Sequence, residues 1–156
     1  MKIALSQINP TVGAFASNRD KICTFYQKAL SEGADLVVFP ELAISGYPPT
    51  DLLFAEGFVE NNLIALEEIY KEVTKPLIIG FIRQFKGSLF NSAAICSNGQ
   101  IIKTYDKILL PSYDVFDEDR YFTPGTDICI WELNIKDEKH TIGIQICEDL
   151  WDDDYD

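Results

Sequence analysis

The chain has 156 residues, 47% of them hydrophobic, and a formal net charge of −12 at pH 7. This size and composition predict a single folded domain with its own hydrophobic core and exclude an intrinsically disordered chain. Because no basic stripe interrupts the acidity, nucleic acid and anionic membrane surfaces are excluded as favoured partners, and a small polar or cationic ligand is favoured.

The predicted strands and helices alternate from the N-terminus. KIALSQI predicts a first strand, and its single positive charge and the early proline that follows argue against a secretory signal. No segment is long enough to span a bilayer, so we expect a cytoplasmic protein. SNRDKICTFYQKALSEG predicts a helix that Gly33 ends, and its core-facing residues follow the helical period: Ile22, Phe25, Tyr26, Ala29 and Leu30.

Further strands and one more helix follow. DLVVFPE predicts a strand covered on both sides that stops at Pro40, FVENNLIALEEIYKEVT a second amphipathic helix, and PLIIGFI a third buried strand. LFNSAAICSNGQIIKTYDK predicts a hairpin whose turn is Asn98-Gly99, and IWELNI and HTIGIQIC predict the last strands. In the last of these, isoleucines alternate with Gly143, Gln145 and Cys147, which places Cys147 on the more polar face at the strand's end.

The cysteines predict neither a metal site nor a disulfide framework. They are irregularly spaced, form no C-x-x-C pair and have a single histidine to help them: Cys23, Cys96, Cys129 and Cys147. Zinc sites need closely spaced pairs of ligands, so we expect no metal. Taken one at a time, each cysteine is typical of a small buried hydrophobic residue.

Three predicted strands end on a reactive side chain, namely Glu41, Lys107 and Cys147. Ligand sites in layered α/β folds gather at the carboxyl ends of strands, so these residues can meet in one pocket. Each has an ordinary alternative, since a strand-end glutamate or lysine is usually solvated and a strand cysteine usually belongs to the core.

A nucleophilic cysteine needs a base, and the single histidine does not fit. His140 lies seven residues before Cys147, roughly 23 Å away along a strand at about 3.3 Å per residue and on the opposite face. We expect His140 at a turn or strand start on the surface. Glu41 is then the available base, and Lys107 would balance its charge and offer an ammonium group to a developing oxyanion.

The order Glu41, Lys107, Cys147 resembles the Glu-Lys-Cys triad of the nitrilase superfamily, the carbon–nitrogen hydrolases. Three segments around these residues, FPELAISGYPPTDLL, KTYDKILLPSYDVFDEDRYFTPG and IGIQICEDLW, are similar to the glutamine amidotransferase domain of glutamine-dependent NAD synthetases. Stand-alone amidases of the superfamily share the triad but generally lack the GYPPTDLL and VFDEDRYF elements. The resemblance covers essentially the whole chain.

The resemblance implies an α+β fold, a four-layer αββα sandwich, and hydrolysis of the glutamine side-chain amide through a thioester on Cys147. It makes Glu41 the general base and Lys107 the partner of the oxyanion. It also implies that the ammonia serves the amidation of deamido-NAD. Substrate-binding roles are implied for Tyr113, Glu118 and Glu148, and Glu118 is also placed to orient Lys107. An exposed acidic residue is the alternative for Glu148, and a packed loop aromatic is the alternative for Tyr113.

The chain departs from the family pattern at its end, since it stops nine residues after Cys147, where family domains continue. We therefore expect residues 1–156 to be the N-terminal part of a glutaminase domain. ATP and Mg would belong to an absent synthetase domain, which would be the partner of this one. We also expect poor glutamine hydrolysis by the chain alone, and a homo-oligomer because of uncovered apolar surface. The alternatives are an amidase acting on another small amide, and a catalytically silent interaction module.

Overall fold

The computed structural model describes residues 1–151. A five-stranded mixed sheet forms its centre. The strands lie in chain order across the sheet; the first three are parallel and the last two antiparallel. They are β1 (Ile3–Leu5), β2 (Leu36–Val38), β3 (Leu77–Phe85), β4 (Ser88–Ser97) and β5 (Gln100–Asp106).

Two helices, α1 (Phe15–Ser31) and α2 (Phe58–Lys71), connect the parallel strands and cover one face of the sheet. Parallel neighbours need such a crossover, which explains the alternation read from the sequence. Ile22 and Tyr26 of α1 and Leu66 and Ile69 of α2 are buried in the core shared with this face. Neither helix in residues 1–151 has the length and apolar character needed to cross a membrane.

The predicted face of α1 needs one correction, because Phe25 is 37% exposed. The buried residues of the helix are Asn18, Ile22, Tyr26 and Ala29, so the core-facing stripe is narrower than predicted. Asn18 can be buried because its amide exchanges hydrogen bonds with the backbone of Thr11 and donates to the carbonyl of Ile44. Gly33 follows the end of α1 with a φ of 81°, which confirms it as the stop signal.

A separate antiparallel pair, β6 (Cys129–Ile135) and β7 (Glu138–Ile144), packs on the other face of the sheet. Trp131 and Leu133 of β6 and Ile144 of β7 lie in one core cluster with Ile78 and Ile95 of the sheet. From one side to the other, the layers are therefore the two helices, the five-stranded sheet and the β6–β7 pair. This α+β arrangement has three of the four layers of the αββα sandwich that the resemblance implies.

The hairpin turns follow the predicted chemistry. Asn98 and Gly99 have φ values of 49° and 72°, the two left-handed positions of the expected tight turn. Lys86 and Gly87, with φ values of 50° and 84°, join β3 to β4 in the same way. This pairing extends β3 to Phe85, past the predicted end at Ile82.

The last strand ends earlier than predicted. β7 stops at Ile144, and Cys147 begins a short 3-10 turn, Cys147–Leu150. The turn forms because the Asp149 carboxylate accepts a hydrogen bond from the Ile146 backbone N–H at 2.9 Å, which pulls the chain out of the extended conformation. His140 lies near the start of β7, opposite Leu133, as expected, and its side chain is 25% exposed, so it lies only partly on the surface.

Candidate active site

Glu41 reaches the site because the chain turns tightly over β3. Gly80 of β3 permits this approach, since a Cβ there would lie 2.3 Å from the Leu42 backbone nitrogen and 2.5 Å from the Pro40 carbonyl oxygen. Leu42 takes a φ of 45°, a left-handed conformation that non-glycine residues seldom adopt. Glu41 is thus held in an unusual turn directly beyond β2, at the carboxyl end of the parallel strands.

Lys107 follows β5 and is buried between two carboxylates. Its Nζ donates to Glu41 Oε1 at 2.8 Å and to Glu118 Oε1 and Oε2 at 2.9 and 3.0 Å. Burial alone lowers the pKa of Lys107, but the charges and hydrogen bonds of Glu41 and Glu118 outweigh it, and the pKa is raised overall. Lys107 is therefore a charged ammonium group at neutral pH, although it is only 1% exposed.

Two neighbours of this ion pair were not singled out from the sequence. Asn91 of β4 donates from Nδ2 to Glu41 Oε1 at 2.6 Å and to Glu118 Oε2 at 3.2 Å. Tyr47 donates to Glu118 Oε1 at 2.8 Å, and burial and this hydrogen bond raise the pKa of Tyr47, so its hydroxyl remains a donor. A polar residue inside the apolar strand LFNSAAIC was the available signal for Asn91. The signal for Tyr47 was its place in the GYPPTDLL element, which stand-alone amidases generally lack.

Cys147 lies at the start of the 3-10 turn with a φ of 48°. The residue is exposed, yet partial burial of its thiol raises the pKa, and the negative charge of Glu41 raises it further, while Lys107 lowers it. The pKa lies above the ordinary value of 9.0, so the thiol carries its proton at neutral pH. A nucleophilic role for Cys147 therefore needs a base that removes the proton during the reaction.

Glu41 and Cys147 line the same cavity of about 470 Å³. Its walls are mostly apolar and come from the first four strands of the sheet and from β7, with Leu5, Val38 and Ile144 among them. Lys107 lies buried behind Glu41. The structure therefore brings Glu41 and Lys107 into direct contact and places Cys147 in the lining of the cavity that Glu41 also lines.

Asp149 ties the cysteine turn to the segment that carries Lys107. Its Oδ1 accepts from the backbone N–H groups of Ile108 and Leu109 at 3.0 and 2.9 Å. Its Oδ2 accepts from Tyr105 Oη at 2.6 Å, in addition to the Ile146 N–H. Four donors on one buried carboxylate fix the relative position of the two strand ends.

Tyr113 and Glu148 form a second polar contact beside Cys147. The Tyr113 hydroxyl donates to Glu148 Oε1 and Oε2 at 2.9 and 3.0 Å. Glu148 is 5% exposed, which contradicts the alternative of an exposed acidic residue, whereas Tyr113 is 54% exposed. The Tyr113 ring meets Phe116 edge to face at 5.6 Å, so it is both a partly packed loop aromatic and the donor to Glu148.

The effect of the Glu41 charge on the pKa of the Cys147 thiol should be measurable. Since Glu41 raises the pKa of Cys147, the substitution Glu41→Gln should move the pH midpoint of Cys147 alkylation by iodoacetamide to lower pH. Mass spectrometry of the Cys147 peptide across a pH series measures this midpoint. Glu60→Gln, which removes a carboxylate from the first turn of α2, is the control and should leave it unchanged. An unchanged or higher midpoint in Glu41→Gln would contradict the assigned electrostatics.

Comparison with known proteins shows the family of the chain. The family model described as carbon-nitrogen hydrolase matches residues 2–154. The chain is 43% identical to a glutamine-dependent NAD(+) synthetase of Synechocystis sp. and 38% identical to one of Thermotoga maritima; each match covers 97% of this chain. It spans only 28% and 26% of the lengths of these two relatives.

Solved structures show the same fold. A glutamine-dependent NAD+ synthetase of Acinetobacter baumannii aligns with a TM-score of 0.89 and 34% identity over 97% of this chain and 28% of that chain. An amidase of the nitrilase superfamily from Nesterenkonia, 23% identical, aligns with a TM-score of 0.80 over 97% of this chain and 57% of that chain. The expected nitrilase-type fold is thus confirmed, and the chain belongs to the carbon–nitrogen hydrolase family.

Proposed function

We propose that the chain is the glutamine-hydrolysing part of an NAD synthetase. One observation carries the proposal: the carboxylate of Glu41, bound to the buried Lys107 ammonium, shares a cavity with the thiol of Cys147. The names of the relatives support glutamine as the amide and NAD synthesis as the destination of the ammonia. In this proposal residues 1–156 are the N-terminal part of the glutaminase domain, and ATP and Mg act in a synthetase domain.

The first half of the proposed reaction forms a thioester. Glu41 takes the thiol proton as the Cys147 sulfur attacks the side-chain amide carbon of glutamine. Glu41 then gives this proton to the amide nitrogen, the carbon–nitrogen bond breaks, and ammonia leaves. The raised pKa of the Cys147 thiol supports a base-assisted attack over attack by a pre-formed thiolate.

The second half releases glutamate. Glu41 removes a proton from water, the resulting hydroxide attacks the thioester carbon, and the sulfur leaves with the proton that Glu41 returns. In both halves the tetrahedral oxyanion is stabilised by the Lys107 ammonium and the backbone N–H that follows the nucleophile. Glu118 keeps Lys107 in place, since its buried carboxylate is already engaged by Lys107, Tyr47 and Asn91. These contacts favour a positioning role over direct substrate binding for Glu118.

Glu148 is proposed to bind the α-ammonium group of glutamine, with Tyr113 orienting its carboxylate. The substitution Glu148→Gln should raise KM for glutamine roughly 10- to 100-fold, because a hydrogen bond to a charged group contributes about 1.5–3 kcal/mol. kcat should change much less, since Glu148 does not touch the reacting amide in this proposal. Steady-state glutamate release measures both constants, with Glu138→Gln at the far end of β7 as control. A wild-type KM in Glu148→Gln would exclude the assigned contact.

Glutamate and ammonia release from glutamine, measured beside a panel of other small amides, tests the function itself. Preference for glutamine supports the proposal, whereas turnover of simple aliphatic amides alone would favour a general amidase of the same family. A glutamine-mimicking α-diazoketone provides a second measurement that needs no turnover. Failure of Cys147 to react with it would favour the catalytically silent interaction module.

A further inference from the structure

Asn91 contacts three charged residues of the site. Its side-chain amide donates to Glu41 Oε1 at 2.6 Å and to Glu118 Oε2 at 3.2 Å. Its backbone carbonyl accepts the Lys107 backbone N–H at 2.8 Å. Asn91 lies in β4 and is 1% exposed, so the sheet fixes its position independently of the residues it holds.

The orientation of the Asn91 amide follows from its partners. Ionised carboxylate oxygens only accept hydrogen bonds, so the NH₂ group must face Glu41 and Glu118 and the carbonyl Oδ1 must point away. Within residues 1–151 no donor reaches this buried Oδ1. An unsatisfied buried acceptor costs about 1–3 kcal/mol. Stability alone therefore does not account for an asparagine at this position, which is typical of residues that serve a site.

The two donors to Glu41 share one oxygen. Asn91 Nδ2 in β4 and Lys107 Nζ just after β5 both bind Oε1, at 2.6 and 2.8 Å. Two donors in different directions fix the plane of the carboxylate as well as its position. Since Glu41 lines the cavity together with Cys147, Oε2 is the oxygen left to receive a proton from that side.

We propose that Asn91 is a positioning residue that turns Glu41 Oε2 toward the Cys147 thiol, an inference that rests on the base role given to Glu41 in the proposed function. Lys107 alone can hold Oε1 while the carboxylate rotates about that contact. The Asn91 amide removes this freedom and, by also holding Glu118, prevents the two carboxylates from shifting relative to each other. Asn91 itself touches neither substrate nor thiol.

The substitution Asn91→Leu tests this, because leucine keeps the branched shape and removes the donor. We expect kcat for glutamine to fall roughly 10- to 100-fold, as misplacement of a reacting group by about 1 Å can cost this much, with KM nearly unchanged. Asn62→Leu is the matched control. Asn62 is equally buried, and within residues 1–151 its side chain bonds only to the backbone of Ile82, the strand partner of Asn91. The Asn62→Leu variant should have a lower unfolding temperature than the wild type and an unchanged kcat.

A crystal structure of Asn91→Leu gives a second readout that does not depend on turnover. The Glu41 carboxylate should be rotated or should occupy more than one orientation, while the backbone of β2, β4 and β5 superposes on the wild type. An unmoved Glu41, or a wild-type kcat in Asn91→Leu, overturns the inference. Because the chain alone is expected to hydrolyse glutamine poorly, these rates are measured in a longer protein that carries residues 1–156 together with the synthetase domain. If that wild-type protein fails to hydrolyse glutamine while Glu41 still turns in the variant, the proposed function fails and the positioning role stands.

Discussion

Replacement of Cys147 by alanine is expected to reduce glutamine hydrolysis by about 10⁴-fold or more, the scale observed when a covalent nucleophile is removed. Without the sulfur no thioester forms, and the carboxylate of Glu41 faces a cavity with no group to activate except water. The rate of glutamate release measures the loss. Thermal unfolding of the same variant should stay near that of the wild type, because Cys147 is an exposed residue outside the core clusters.

Cys23→Ala is the matched control for this experiment. Cys23 lies in α1, half-buried on the helical side of the sheet, and burial raises its pKa without a catalytic partner. This variant should hydrolyse glutamine at the wild-type rate. Residual turnover in Cys147→Ala within tenfold of the wild type would instead show that the reaction proceeds by direct attack of water, and the thioester would have to be abandoned.

The strand ends were predictable because they depend on local patterns. Glu41 follows an apolar strand and Lys107 follows a hairpin, and both patterns can be read from the sequence. The carboxyl ends of strands that run in the same direction lie at the same edge of a sheet, so the two residues were expected near each other. The same reasoning misplaced the end of β7. The isoleucines alternate as far as Ile146, which predicts a strand up to that residue. The Ile146 N–H instead donates to the Asp149 carboxylate and the chain turns there, a feature that the spacing of hydrophobic residues cannot indicate.

The supporting residues were not predictable for a different reason. Asn91 lies 50 residues from Glu41 in the chain, and Tyr47 lies 71 residues from Glu118. Their roles arise from contacts that exist only once the strands are aligned in register. A sequence pattern can place a polar residue such as Asn91 inside a strand, but it cannot predict which two carboxylates its amide will bind.

Cys147 illustrates how the fold and the chemistry depend on each other. Its φ of 48° lies in a region that costs a non-glycine residue of the order of 1 kcal/mol, and it persists because Asp149 fixes the turn from several sides. In that conformation the thiol leaves the strand face and meets the cavity that Glu41 lines. The four donors to Asp149 thus hold Cys147, the proposed nucleophile, in place as well as the turn.

Removal of the Lys107 charge is expected to affect both stability and activity. Lys107→Met leaves Glu41 and Glu118 facing each other with only the Asn91 amide between them. Breaking a buried ion pair by removing one partner costs about 3–5 kcal/mol, a large share of the usual 5–15 kcal/mol of domain stability. Glutamine hydrolysis should be lost as well, because the variant lacks both the proposed oxyanion partner and the ammonium group that anchors Glu41.

Urea unfolding at a series of pH values measures how much Lys107→Met lowers the free energy of unfolding and how this loss changes with pH. The folded-state pKa of Lys107 is raised above 10.5, so its contribution is fully present below the unfolded pKa and is lost only as pH rises through the folded value. The free-energy difference between wild type and Lys107→Met should therefore be large at neutral pH and shrink in strongly alkaline solution. Lys71→Met, which breaks the exposed pair with Glu67, should change stability little at any pH.

A double variant separates the charge effect from lost packing. Lys107→Met combined with Glu41→Gln removes the repulsion between the two carboxylates, so it should be more stable than Lys107→Met alone, while remaining inactive. If the double variant is no more stable than the single one, the loss comes from packing of the lysine stem and not from unpaired charge. If Lys107→Met were as stable as the wild type at neutral pH, the ammonium group would not be needed to hold Glu41 and Glu118 together. We expect the opposite, because Lys107 Nζ makes three hydrogen bonds of 2.8–3.0 Å to these carboxylates.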